Sequence, residues 1–186
     1  MKSLKIVLLG AFIMLVSNTV SAQKWGIRAG ANISDVNVDG LDTSSKTGLY
    51  VGIYKEIPLI KSLLFIQPEV QYSQEGFKTK GVEDTKIDYL TVPILAKIYV
   101  AKIVSFETGP QFGFKISDNI NKTFADVKDF VPSWAFGASL NLPLGLSINA
   151  RYISALNDNF EVKNGLNNTF DSGKNQVFQI GAAFQF

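Results

Sequence analysis

The sequence has no cysteine and no histidine. Without cysteine the chain has no disulfide, no thiol nucleophile and no thiolate ligand for a metal ion. Without histidine it lacks the commonest general base and metal ligand, so neither a Ser-His-Asp nor a Cys-His mechanism is available. Carboxylate pairs such as Glu69 and Glu107 remain, but we expect arginine and lysine on nearby strands to neutralise them. The composition therefore predicts a protein that is not an enzyme and carries no cofactor.

Apolar runs long enough for a transmembrane helix are also missing. The apolar stretch over residues 6–16 is shorter than the roughly 20 residues that a helix needs to cross a bilayer. It follows two lysines and precedes the small residues Val20, Ser21 and Ala22, which is the order of parts in a secretory signal. We predict a signal peptide over residues 1–22, cleavage after Ala22 and one domain over residues 23–186. Because no cysteine follows the cleavage site, a lipid-modified N-terminus is excluded.

The chain also has no large net charge of either sign. The chain has 18 Lys+Arg and 16 Asp+Glu, and removal of the predicted signal takes away two lysines and leaves a neutral chain. Nucleic acid is bound through clustered basic residues, which a neutral chain does not favour. We therefore expect no nucleic-acid partner.

What the sequence has is strict alternation of apolar and polar residues. In residues 175–186, every second residue from Phe178 to Phe186 is apolar. A period of two is typical of a β-strand with one apolar face. It recurs at similar spacing, which predicts an all-β domain of eight antiparallel strands in up-and-down order. The alternating segments are approximately residues 25–34, 48–56, 64–75, 89–99, 106–116, 133–141, 146–152 and 175–186.

The connections between these segments alternate between long polar stretches and short ones. Outer-membrane barrels have this asymmetry, with tight turns on the periplasmic side and larger loops outside the cell. The pattern therefore places both termini in the periplasm. The long connections are residues 35–46, 76–86, 118–129 and 157–174, and the short ones centre on residues 58–62, 101–104 and 143–144.

Alternation alone does not decide whether the apolar face meets lipid or lines a soluble carrier of lipocalin type. Barrel size favours lipid, because an eight-stranded barrel is just wide enough for its own side chains or one small ligand. Glycine recurs on the opposite face, as expected for a narrow interior. We therefore predict a transmembrane β-barrel. The aromatic residues that would not fit inside are Trp25, Phe106, Phe112, Phe114, Trp134, Phe136, Phe178, Phe184 and Phe186.

Charged residues on the polar face balance in sign, which predicts a lumen filled by ion pairs and hydrogen bonds. Charges away from water are tolerated when they are paired, so we interpret this lumen network as a plug. A narrow passive channel lined by the same groups is the alternative. The predicted network consists of the bases Arg28, Lys97, Lys115 and Arg151 and the acids Glu56, Glu69, Glu75 and Glu107.

Two local features modify this scheme. Pro68, Pro93 and Pro110 lack the N–H that a sheet ladder uses, so each predicts a bulge or a locally unpaired site. The segment Asp35-Val36-Asn37-Val38-Asp39-Gly40 matches the first half of a calcium loop, but Lys46 stands where a bidentate glutamate is needed. We predict a polar external turn without a metal there, and a bound calcium ion is the alternative.

Several segments together resemble the PorT-like outer-membrane β-barrel domain family, which is similar in architecture to the small OmpX and OmpA barrels. The resemblance covers residues 25–186 and implies an integral outer-membrane protein of Gram-negative type, without shared catalytic residues or ligand. The segments that carry it are Trp25-Gly26-Ile27-Arg28-Ala29-Gly30, Leu90-Thr91-Val92-Pro93-Ile94-Leu95-Ala96-Lys97, Glu107-Thr108-Gly109-Pro110-Gln111-Phe112-Gly113, Gly137-Ala138 and Arg151-Tyr152.

The predicted function follows from these features. We expect a monomer in contact with outer-membrane lipid, with a closed lumen and external loops that serve envelope integrity, adhesion or protein interaction. The loops over residues 35–46, 118–129 and 157–174 are the candidate contacts for an external protein or surface ligand. The terminal Phe186 is predicted as the assembly signal for the barrel-assembly machinery. A narrow porin-like channel for small solutes remains the alternative.

Overall fold

The computed structural model describes residues 24–38, 43–79, 85–101, 103–119, 125–157, 160–163 and 170–186. Within these ranges no helix is long and apolar enough to cross a membrane. The strands are β1 (Lys24–Val38), β2 (Thr43–Ile60), β3 (Leu64–Thr79), β4 (Thr85–Val100), β5 (Val104–Asp118), β6 (Ala125–Val127), β7 (Phe130–Asn141), β8 (Leu146–Ala155), β9 (Phe160–Lys163) and β10 (Phe170–Gln185).

Eight of the strands form a closed antiparallel barrel. Each of β1, β2, β3, β4, β5, β7, β8 and β10 pairs with the next, and β10 returns to pair with β1. The seam between β1 and β10 extends to Trp25, whose N–H donates to the Phe186 carbonyl at 3.2 Å, while the Phe186 N–H donates to the Trp25 carbonyl at 2.8 Å. The predicted eight-stranded up-and-down barrel is confirmed.

The two ends of the barrel differ. One end, the short-turn end, carries the seam residues Trp25 and Phe186 and the three tight connections β2–β3, β4–β5 and β7–β8. Each of these connections holds one non-glycine residue with left-handed φ, namely Ser62 at 63°, Ala101 at 63° and Leu144 at 65°. A non-glycine residue in this region is strained because its Cβ approaches the carbonyl oxygen. The opposite end, the long-loop end, carries the remaining connections.

The apolar face of the strands points outward. Phe106 and Phe136 are 51% and 56% exposed, whereas Arg28 and Glu69, on the polar face, are 3% and 0% exposed. A soluble carrier with an apolar cavity would show the reverse, so the lipocalin-like alternative is wrong. Phe114 differs from the other predicted outward aromatics in being only 6% exposed. Its ring packs against that of Phe130 with centroids 5.2 Å apart, which explains its burial.

The long connections contain more strand than predicted. Ladder pairing continues beyond the apolar segments, so β1 extends to Val38 and β3 to Thr79. The predicted loops 118–129 and 157–174 also contribute the short strands β6 and β9, which pair with each other, while β9 pairs with β10. Backbone hydrogen bonds between strands do not need an apolar face. The strands predicted from apolar alternation are therefore shorter than the strands in the structure.

The three prolines lie in interruptions of the ladder, as predicted. In each of three ladders, the pair that contains the proline is absent. These pairs are Lys55 with Pro68 in β2–β3, Glu69 with Pro93 in β3–β4, and Ile94 with Pro110 in β4–β5. The register is the same on both sides of each interruption. Each proline therefore leaves a local gap and no bulge, because removal of one N–H does not require an extra residue.

Glycines on the inner face make room for tyrosine rings. A Cβ added to Gly26 would lie 2.2 Å from the Tyr54 ring, and one added to Gly181 would lie 2.4 Å from the Tyr50 hydroxyl. Both tyrosines are buried. The glycine pattern on the polar face therefore reflects close packing in a narrow lumen.

Candidate functional site: the lumen network

Four charged residues from four strands meet in the lumen. Arg28 of β1 and Arg151 of β8 lie against Glu69 of β3 and Glu107 of β5, and all four are buried. The strands position them because each residue lies on the inward parity of its strand. This central cluster spans the barrel interior with two positive and two negative side chains.

Arg151 contacts both carboxylates. Its Nη1 and Nη2 donate to Glu69 Oε2 and Oε1 at 2.9 and 2.8 Å, a bidentate arrangement. Its Nε and Nη2 also donate to Glu107 Oε1 at 2.8 and 2.6 Å. The planar guanidinium group suits this geometry, because its donors point in fixed directions toward two acceptors.

Arg28 completes the central cluster from the β1 side. Its Nη1 donates to Glu69 Oε1 at 3.1 Å and lies 3.7 Å from Glu107 Oε1. Its Nη2 donates to Asn149 Oδ1 at 2.7 Å, and its guanidinium lies 5.4 Å from the centre of the Tyr50 ring. Both arginines therefore contact both acids. With two positive and two negative side chains, the cluster as a whole is electrically neutral.

Glu69 is the centre of the cluster. Besides the two arginines, Gln67 Nε2 donates to its Oε1 at 2.5 Å, and Gln71 Nε2 donates to its Oε2. A fully buried carboxylate is stable when its lone pairs are occupied by donors. Gln67 precedes and Gln71 follows Glu69 by two residues on the same strand face, and this spacing is the signal that would have identified them.

A second group of polar residues lies nearer the short-turn end. Lys97 Nζ donates to Glu56 Oε1 at 2.8 Å, and the Tyr99 hydroxyl donates to Glu56 Oε1 and Oε2 at 2.9 and 3.0 Å. Lys97 Nζ also lies 5.2 Å from the centre of the Tyr99 ring. The ammonium group is thus held by a carboxylate and an aromatic face.

Two predicted members of the network have other surroundings. Lys115 pairs with Asp118 and Asp129, each at 3.1 Å, rather than with a predicted glutamate. Asp129 is almost fully exposed, so this group lies at the rim of the long-loop end. Glu75 accepts hydrogen bonds from Ser73 and Asn175 instead of pairing with a base. The structure therefore brings together six of the eight predicted residues, in two groups.

The lumen opens toward the short-turn end. A cavity of about 770 Å³ lies there, with Tyr54, Glu56 and Lys97 at its inner wall. The turn residue Lys61 and Asn141 at the end of β7 also line it. Beside the central cluster the described residues leave a cavity of only about 10 Å³, which is lined by Arg28 and Glu107 among others. The packed side chains thus narrow the interior sharply at the level of the cluster.

Other predicted sites have less support from the described residues. In the predicted calcium loop, Asp35 and Asn37 belong to β1, and residues 39–42 lie outside the described residues. Among the described residues no three His, Cys, Asp or Glu side chains could hold a metal ion together. Phe186 is 70% exposed beside Phe184, with ring centroids 6.2 Å apart.

Sequence comparison identifies a family. A model described as outer membrane protein beta-barrel domain matches residues 20–161. A search of curated proteins finds no significant match. The finer resemblance to PorT-like proteins stays a prediction.

Structure comparison finds small outer-membrane barrels. OprG from Pseudomonas aeruginosa is 14% identical, with a TM-score of 0.52 and coverage of 89% of this chain and 96% of OprG. Ail, the attachment invasion locus protein of Yersinia pestis, is 15% identical, with a TM-score of 0.55 and coverage of 88% and 98%. Neisserial surface protein A is 13% identical, with a TM-score of 0.54 and coverage of 87% and 97%.

Two further structural matches concern ligands and activity in other proteins. Ail has also been solved in complex with the heparin analogue sucrose octasulfate. The outer membrane enzyme PagL has a TM-score of 0.43, which is too low to support an inference about this chain. At these levels of identity the comparisons concern the fold.

Proposed function

Because this chain belongs to the outer membrane protein beta-barrel domain family, we propose that its lumen is closed by its own side chains and that its loops act outside the cell. The chain is a protein of the Gram-negative outer membrane. In the proposal, it serves envelope integrity, adhesion or contact with another protein, and it acts as a non-enzymatic monomer.

The central cluster is the main observation in support of a closed lumen. Arg28, Glu69, Glu107 and Arg151 connect strands β1, β3, β5 and β8 through contacts of 2.6 to 3.7 Å. An ion that crossed this level would have to separate buried pairs that have little access to water. Separation of a buried pair leaves uncompensated charges and is costly.

The long-loop end supports an external role. Strands β6, β9 and β10 form a small sheet that extends the barrel wall, with β6 at its edge. A scaffold of this kind can present loops for binding. The four long connections carry 11 acidic and 8 basic residues. This balance does not favour a sulfated polyanion of the kind bound to Ail, so we propose a protein or an uncharged surface ligand as the partner.

A narrow channel is the second candidate. The cavity of about 770 Å³ at the short-turn end favours it, because solutes could enter the lumen from that side. Further passage would require movement of the central cluster.

Single-channel recording in planar bilayers distinguishes the two candidates. We expect negligible conductance for the wild-type barrel, since the cluster fills the lumen. Replacement of Arg28 or Glu107 by alanine tests whether the cluster is the barrier. Steady wild-type conductance that changes in amplitude or ion selectivity with Arg28→Ala or Glu107→Ala would favour the channel.

Processing and assembly complete the proposal. We propose that residues 1–22 are removed after export and that Phe186 is read by the barrel-assembly machinery. The exposure of Phe186 at the end of the seam supports this role, because its ring is accessible beside Phe184.

A further inference from the structure

Glu75 is a buried carboxylate without a basic partner. It lies on β3, toward the long-loop end from Glu69, and is 7% exposed. Ser73 Oγ donates to its Oε1 at 3.0 Å, and Asn175 Nδ2 donates to its Oε2 at 2.5 Å. Within the described part of the chain, no lysine or arginine nitrogen lies within 4.0 Å of this carboxylate. An ionised group in this position lacks the charge compensation that Glu69 has.

Polar side chains from several strands, together with the apolar Val131, Ile153 and Val177, line a small cavity beside Glu75, which we name the Glu75 cavity. Its volume is about 10 Å³, close to what a single water molecule or unhydrated ion requires. Thr91, Gln111, Ser133 and Asn175 line it together with Glu75. The cavity therefore joins side chains from β3, β4, β5, β7 and β10.

Two of these oxygens have no hydrogen-bond partner. Thr91 Oγ1 and Gln111 Oε1 are buried, and neither contacts a donor in the structure. Both residues are at least 97% buried. Buried polar atoms in proteins are normally satisfied, so an unpaired hydroxyl and carbonyl oxygen beside a lone carboxylate indicate a missing ligand that is attracted by oxygen.

The chemistry of the cavity defines that ligand. Carboxylate, hydroxyl and amide oxygens are the ligands that hard cations prefer. One carboxylate neutralises one positive charge, whereas a divalent ion would leave a second charge buried without compensation. We propose that the Glu75 cavity binds a monovalent cation, Na⁺ or K⁺, through the Glu75 carboxylate and the unpaired oxygens of Thr91 and Gln111. The bound ion would link strands β3, β4 and β5.

Thermal unfolding in different salts tests this site. The full barrel in detergent micelles is heated in NaCl, in KCl and in N-methyl-D-glucamine chloride at one ionic strength. Unfolding is followed by the loss of the fast-migrating folded band in gel electrophoresis. We expect NaCl or KCl to raise the midpoint on the order of 5 °C at saturation, because a ligand that binds only the folded state stabilises it. In Glu75→Gln the three salts should give the same midpoint.

Thallous ion provides a direct readout on the wild-type protein, independent of any variant. Crystals grown in thallous acetate should show an anomalous peak in the Glu75 cavity, and this peak should vanish when an excess of K⁺ is added. Thr91→Val, which removes one proposed ligand at constant shape, should weaken the salt response. Gln179→Ala removes another buried amide, one that does not line the cavity, and should keep the full response.

Three outcomes would contradict the proposal. They are equal wild-type midpoints in the three salts, wild-type crystals without thallous density in the cavity, and stabilisation by Ca²⁺ that Na⁺ and K⁺ do not reproduce. The last would replace the monovalent ion by a divalent one.

Discussion

Arg151 illustrates how single residues stabilise this lumen. Its guanidinium donates to carboxylates on two different strands, Glu69 on β3 and Glu107 on β5. Both acids are buried, so their charges depend on the arginines for compensation. Removal of one base therefore leaves more negative than positive charge inside the barrel.

We predict that Arg151→Ala lowers the free energy of unfolding by about 3–5 kcal/mol, because it leaves buried carboxylates without compensation. Urea unfolding of the barrel in lipid vesicles, followed by fluorescence of Trp25 and Trp134, measures the change.

Lys115→Met is the matched control, since it also removes one base from an inward position. Its partner Asp129 is almost fully exposed and its partner Asp118 lies beside it at the rim, so we expect a smaller loss than in Arg151→Ala. Equal losses in Arg151→Ala and Lys115→Met would show that the central cluster contributes no more than a rim ion pair.

The sequence predicts which charged side chains point into the lumen better than it predicts their ion-pair partners. Strand parity placed Arg28, Glu69, Glu107 and Arg151 inside, where the structure has them. Parity does not give the height of a residue across the barrel, which depends on the stagger between strands. For this reason Lys115 was predicted in the network but lies at the rim with aspartates.

Among the elements, the three short turns carry backbone strain. Ser62, Ala101 and Leu144 each have φ between 63° and 65°. Glycine adopts this conformation without steric cost, so these turns are formed by residues that do not favour them.

We predict that Ala101→Gly stabilises the barrel by about 0.5–1 kcal/mol. Relief of left-handed strain contributes about 1–2 kcal/mol, and the greater freedom of glycine in the unfolded chain offsets part of it. Unfolding by urea measures the gain. Ala150→Gly, in the middle of β8, should instead destabilise by about 0.5–1 kcal/mol, since strands disfavour glycine. A lower free energy of unfolding in Ala101→Gly would contradict the claim that the backbone is strained at Ala101.

The sequence predicted the existence of the barrel strands but not their ends. Alternation with outward Phe and Ile identifies a strand only where one face meets lipid, as in the stretch from Phe178 to Phe186. The polar extensions of β1 and β3, and the short strands β6 and β9, have no such face. They form through backbone pairing between segments far apart in sequence, which local pattern does not reveal.

For the molecule as a whole, the grouping of the short turns with both seam residues defines one end of the barrel. The long connections all lie at the other end. Barrels of the outer membrane place short turns in the periplasm and long loops outside the cell. This rule gives an orientation that can be tested on intact cells.

We predict that protease added to intact cells cleaves within residues 118–129 or 157–174, because these connections face the medium. Immunoblotting of the fragments locates the cuts. A cut at residues 143–144 should require permeabilised cells, although Leu144 is highly exposed in the structure. Cleavage at residues 143–144 in intact cells would reverse the orientation.

The closing seam joins the two ends of the barrel sequence. Strand β10 is the last barrel strand along the chain, yet it is the partner of β1, the first. Until it arrives, β1 and β8 each present an edge of unpaired backbone groups, and such edges readily join other chains. Completion of the ring is therefore a single late event, and whatever escorts the unfinished protein to the membrane has to shield two edges at once.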